Sequence, residues 1–79
     1  MAWRAIGVVI EEQPIRIHGL NVWDYTWTRL PDAPVELPHP SYPSQLHVMD
    51  VYEITANGNH VRFAAGELSA NVWGFYVPA

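Results

Sequence analysis

Cysteine is absent from the 79-residue chain, which removes disulfides, thiolate metal ligands and thiol nucleophiles together. Lysine is absent too, so Schiff-base chemistry is excluded. Charge is scarce, at 15% of residues against about 25% in an average globular chain. The four cations are Arg4, Arg16, Arg29 and Arg62, spaced singly, and the formal net charge is −4. Such a pattern makes no basic stripe for a phosphate backbone, so nucleic acid is not an expected partner. No segment reaches the roughly 18 apolar residues of a membrane span. The apolar run from Ala5 to Ile10 is too short for a secretory core and leads into Glu11 and Glu12 instead of a small-residue cleavage site. The expectation is a cytoplasmic location without membrane contact.

What is present is apolar: hydrophobic residues make up 49% of the chain and aromatic ones 13%. Seventy-nine residues build one hydrophobic core, so residues 1–79 read as a single domain. A domain of this size buries only about 60–65% of the surface its unfolded chain exposes, which leaves a small net stability. Without disulfides, the supplement comes from a His/carboxylate metal site, from oligomerisation or from close packing. The apolar surplus points to a homo-oligomer.

Helix signals are poor, because seven prolines and frequent Val, Ile, Thr, Trp and Tyr leave no ten-residue run with a 3.6-residue period. Trp3 to Glu12 reads as a first strand, stopped by Gln13-Pro14. Ile15 to His18 resumes extended structure, Gly19 permits a bend, and Val22 to Thr28 alternates with Trp23, Tyr25 and Trp27 on one side. Five prolines between Leu30 and Ser44 argue against regular structure there, so residues 30–45 read as a stiff proline-rich loop.

The second half is more explicit. Asn57-Gly58 between two alternating runs is a strong hairpin signal, and a two-residue turn there fixes the register. Ala56 falls opposite Asn59, Ile54 opposite Val61, Glu53 opposite Arg62 and Tyr52 opposite Phe63. Apolar pairs then share one face and a Glu53/Arg62 ion pair lies on the other. A further strand, Val72 to Val77, follows a turn at Ser69-Ala70-Asn71. The predicted fold is all-β, a small five-stranded antiparallel barrel or roll with a C-terminal three-stranded meander and a long proline-rich loop.

The stretches His39-Pro40-Ser41-Tyr42-Pro43-Ser44-Gln45-Leu46-His47, Phe63-Ala64-Ala65-Gly66-Glu67-Leu68-Ser69 and Val72-Trp73-Gly74-Phe75-Tyr76-Val77-Pro78 resemble small uncharacterised bacterial proteins carried on the mobile gene cassettes of integrons. The resemblance covers the C-terminal half. It implies a bacterial or environmental source and brings no activity, cofactor or catalytic residue with it.

Continuing the hairpin count places Asp50 opposite Ala65 and Val48 opposite Glu67, so Asp50 and Glu67 become diagonal neighbours on the face of Tyr52 and Ile54. Diagonal positions lie about 7–8 Å apart, a spacing at which two carboxylates can share a metal or divide acid and base roles. His47 lies near in sequence, although alternation puts it on the opposite face. Asp50, Glu67 and His47 form the candidate catalytic set. The competing structural reading has a bulge at Gly66 turning Glu67 outward and Asp50 accepting backbone or arginine hydrogen bonds. Trp23, Tyr25 and Trp27, with Tyr42 of the proline loop, are the candidate ligand-binding residues. Displayed, the aromatic row is a platform for sugar rings or a proline-rich peptide; buried, it is core or subunit interface.

None of His18, His39, His47 and His60 falls at a recognised ligand spacing, so no metal site is expected. The serines lack an elbow motif and the glycines form no phosphate-cradling loop, so no cofactor is expected. The function expected is a noncatalytic binding or interaction module acting as a homo-oligomer, with a small-molecule or protein partner. The alternatives are a small enzyme whose carboxylate site assembles in an oligomer, and an inhibitor or immunity-type protein whose acidic surface meets a basic partner.

Overall fold

The two residues at the Asn57-Gly58 turn have φ of 52° and 78°, the paired left-handed conformation of a type I′ turn whose twist matches that of the flanking strands. In the computed structural model, which describes residues 2–31 and 34–79, this turn joins the two longest strands. These are β6 (Leu46–Ala56) and β7 (Asn59–Ser69); before them come β1 (Trp3–Ile10), β2 (Arg16–Ile17), β3 (Leu20–Asn21), β4 (Thr28–Arg29) and β5 (Val35–Pro38), and after them β8 (Val72–Pro78). Every pair counted from the sequence, from Ala56/Asn59 through Asp50/Ala65, is in register. The β6–β7 ladder ends there, so Val48 and Glu67 are not paired.

All ladders are antiparallel. The main sheet runs β1, β8, β7, β6, and the far edge of β6 is shared. β4 pairs with Tyr52 and Glu53, while β5 pairs with Leu46 to Met49. β6, β7 and β8 form the expected meander. The expected barrel does not close, because among the described residues β1 pairs only with β8 and the opposite edge is occupied by the short β4 and β5. Among the described residues no helix is long and apolar enough to cross a membrane.

Three expectations about the first half are corrected. The first strand ends at Ile10, where Glu12 takes a φ of 70° and Gln13 turns back to donate its N–H to the Ile10 carbonyl at 2.8 Å. Val22 to Thr28 is not a strand: Val22–Asp24 is a 3₁₀ turn, since the Asn21 side chain accepts the Trp23 N–H and pulls the chain out of extended geometry. Within the proline-rich stretch, Val35–Pro38 forms β5. It is tolerated because β5 is an edge strand with its proline at the last position. Its hairpin to β6 closes through His39 N–H to the Gln45 carbonyl at 2.8 Å, with Pro40 and Pro43 inside the loop. Asp32 and Ala33 of that stretch lie outside the described residues.

Both faces of the sheet are covered. On one, the fully buried Ile54, Phe63 and Phe75 pack beneath Ile17, Val22, Trp23 and Trp27. On the other, Met49, Ala64 and Tyr76 pack beneath Leu37 of β5, and the Tyr76 hydroxyl donates to the Pro38 carbonyl at 2.6 Å. Gly66 serves this second face by its size. A Cβ there would meet the Met49 sulfur at 2.6 Å, so glycine lets Met49 lie against β7. The irregularity expected at Gly66 falls instead between Glu67 and Ser69.

Candidate functional site

Asp50 and Glu67 each hold a different structural partner. Asp50 lies 3.7 Å from the Arg29 guanidinium, a half-exposed pair of the kind worth at most about 1 kcal/mol. The Tyr52 phenol next to it is held above its ordinary value of 10.0, first by burial and then by the negative charge of Asp50, against an opposing pull from Arg29. Glu67 accepts the Asn71 backbone N–H at 3.2 Å and thereby ties the β7–β8 turn. His47 pairs with Leu37 and stacks 5.5 Å from His39, with its Nε2 enclosed and without a hydrogen-bond partner among the described residues. His39 accepts the Ser41 and Tyr42 N–H groups on Nδ1. Tyr42 is exposed, 5.0 Å from the His39 ring.

Trp23, Tyr25 and Trp27 pack against the core as a cover over the sheet. Trp27 stands 5.1 Å from Phe63 at 85°, and 5.1 Å from Tyr52; Trp23 stands 5.0 Å from Trp27. The Trp27–Phe63 pair is edge-to-face and the other two are tilted; aromatic pairs add about 0.5–1.5 kcal/mol each beyond their buried area. Their indole N–H groups are used internally, Trp23 donating to the Gln13 carbonyl at 2.7 Å and Trp27 to the Val22 carbonyl at 2.8 Å.

A broader concavity lies elsewhere. Two short sequences repeat one pattern: Arg16-Ile17-His18 and His60-Val61-Arg62. In each, the central aliphatic residue enters the core, Ile17 at 3% exposure and Val61 at 8%. The flanking Arg16, His18, His60 and Arg62 are exposed; the alternation of extended backbone turns Arg16, His60 and Arg62 away from the core, whereas His18 is set by its own left-handed φ of 51°. The fold sets the two triplets around one open groove of about 390 Å³, and Arg4 of β1 joins them. Three of the four arginines and two of the four histidines thus line one groove that, among the described residues, no carboxylate lines. A second recess of about 360 Å³ continues past His18 and His60 to Asn57, Asn59 and Leu20.

The hydrogen bonds around the groove explain its polarity. The Glu53 carboxylate, opposite Arg62 in register, receives His60 Nδ1 at 3.0 Å in place of the expected Arg62 guanidinium. Thr55 Oγ1 sits 3.2 Å from the same nitrogen, which orients the ring. Among the described residues Asp50 is paired with Arg29 and Glu53 is hydrogen-bonded to His60, so Arg4, Arg16 and Arg62 have no carboxylate partner there. Arg16 donates from one terminal nitrogen to the Gly19 carbonyl at 3.3 Å.

Sequence reasoning missed Arg4, Arg16, Arg62, His18 and His60 as a group because it judged basic residues by linear spacing. The Arg-Ile-His and His-Val-Arg triplets were the available signal. No protein-family model, curated protein or solved structure matches this chain.

Proposed function

We propose that this domain is a noncatalytic binding module that acts as a homo-oligomer in the cytoplasm, with its source among bacterial integron cassettes. The observation that carries the oligomer is the outer edge of β1. It is an eight-residue strand at the end of the main sheet, and it bears exposed Val8 and Ile10 with a single charge, Arg4, near its start. Natural edge strands of this length are blunted by charge, proline or a covering segment, or else they pair with another strand. A second copy supplies an antiparallel partner of identical pattern, as two-fold symmetry allows. Exposed Leu46 and Val48 on β6 are a further outlet for the apolar surplus.

The noncatalytic reading is favoured over the carboxylate enzyme by the separate engagement of Asp50 with Arg29 and of Glu67 with Asn71. Sedimentation velocity across the micromolar range tests the assembly. The expected result is concentration-dependent association that Ile10→Lys, which places a charge on the exposed edge, shifts to monomer. A wild-type protein that sediments as a monomer throughout ends the oligomer reading.

A further inference from the structure

We propose that the groove between the two arginine- and histidine-bearing triplets binds a small phosphate ester, with its phosphate among Arg4, Arg16 and Arg62. The domain carries a net charge of −4, yet three arginines line this groove with no carboxylate among the described residues of its lining. The Glu53 carboxylate beside them is engaged by His60; like charges gathered in this way raise the energy of the empty site, and an anion there relieves that repulsion. Arginine is the residue whose planar fork matches phosphate oxygens two at a time.

The amount of positive charge selects the anion. One carboxylate carries a single negative charge, whereas a phosphate monoester carries about −1.5 to −2 near neutral pH with three terminal oxygens. Three guanidinium groups suit the second better. His60, held through Nδ1 by Glu53, leaves Nε2 as its remaining polar atom, and His18 stands beside it in the shared wall of the two recesses.

Size and charge also decide the class of molecule. A groove of about 390 Å³ is within the range of small-molecule sites. An extended polyanion would have to run past a surface that is acidic overall, while a small ligand feels mainly the charges within about 8 Å at physiological salt. The adjoining recess offers the amides of Asn57 and Asn59, which donate and accept hydrogen bonds. It accommodates a hydroxylated body such as a sugar attached to the phosphate.

The test is a titration followed by NMR, reading arginine side-chain N–H and histidine ring signals, with inorganic phosphate, glucose 6-phosphate and a thymidine oligonucleotide as separate probes. The expected result is saturable binding of both phosphates, with shifts confined to Arg4, Arg16, Arg62, His18, His60 and their neighbours. Glucose 6-phosphate should bind at least about tenfold more tightly than inorganic phosphate. Arg16→Gln and Arg62→Gln, both at exposed positions, should each weaken it at least about tenfold, and Arg29→Gln outside the groove should not. Absence of saturation by about 10 mM, or equal weakening by Arg29→Gln, overturns the site. Equal affinity for the two phosphates overturns the role of the second recess, and tighter binding of the oligonucleotide overturns the small-molecule class. A monomeric protein that binds glucose 6-phosphate leaves this proposal standing and removes only the oligomer.

Discussion

The β6–β7 hairpin and the segment from Gln13 to Leu30 are both rich in aromatic and β-branched residues, yet one is ladder and the other is cover. In the hairpin, alternation is realised as paired strands over the whole of Asp50–Ala65. In the earlier segment, the same alternation of Trp23, Tyr25 and Trp27 is carried by a 3₁₀ turn and an extended run, and only Thr28–Arg29 enters the main sheet. The difference lies in which backbone partners are satisfied first. Asn57-Gly58 adopts two left-handed residues readily and leaves Ala56 directly opposite Asn59, where the ladder begins. Asn21 captures the Trp23 N–H with its own side chain, so a ladder cannot propagate through it. Alternating hydrophobicity specifies a face to bury and leaves open whether a neighbouring strand exists.

The strongest way to break the comparison is to remove the cover while leaving the hairpin intact. Trp27→Ala deletes the ring that stands on Phe63, Tyr52 and Phe75, and the expected cost is about 3–5 kcal/mol, read from the urea midpoint. A loss below about 1 kcal/mol means that the segment does not cover the sheet. The complementary break is Gly58→Ala, which forces an L side chain into a φ of 78° while meeting no atom within 4 Å. Strain alone then sets the cost, about 1 kcal/mol in the same assay. Unchanged stability contradicts the turn geometry.

Tyr52 joins the two regions, since it pairs with Arg29 of β4 and with Phe63 of β7. Its phenol is raised above 10.0, chiefly by burial and next by Asp50. The folded state therefore holds this proton more tightly than the unfolded chain does. Its contribution is complete below pH 10.0 and is lost as the pH rises through the higher folded value. Tyr76, raised by burial on the opposite face, acts in the same direction. Stability should fall in the alkaline range, and Tyr52→Phe should flatten that fall; an unaltered alkaline slope in the variant contradicts the burial. The smallest effect sharpens the boundary between structure and surface. Arg29→Ala removes the exposed pair with Asp50, and stability should change by no more than about 0.5 kcal/mol at moderate salt.

These contrasts set the limits of what could be read in advance. The meander was legible because its information is local: a turn with a defined conformation, strict alternation and matched opposite residues. The covering segment was illegible because its geometry depends on a side-chain cap and on docking with residues far along the chain. β5 was hidden by the prolines beside it, which forbid a central strand and permit an edge. The arginine groove was hidden for a related reason. Arg16 and Arg62 are 46 positions apart, 62 − 16 in the chain numbering, and only the burial of Ile17 and Val61 in one core brings their neighbours together. The aromatic row, by contrast, was visible as chemistry, and its place as core needed the structure.

Docking of the segment on the hairpin underlies the core, the groove and the placement of Trp27 alike. Nuclear Overhauser contacts between the Trp27 indole and the Phe63 ring measure it directly, because their centroids stand 5.1 Å apart. Strong cross-peaks between the two rings, together with Ala56/Asn59 and Tyr52/Phe63 backbone contacts, are the predicted result. The backbone contacts without any Trp27–Phe63 cross-peak would show a hairpin with nothing seated on it, and would contradict the account.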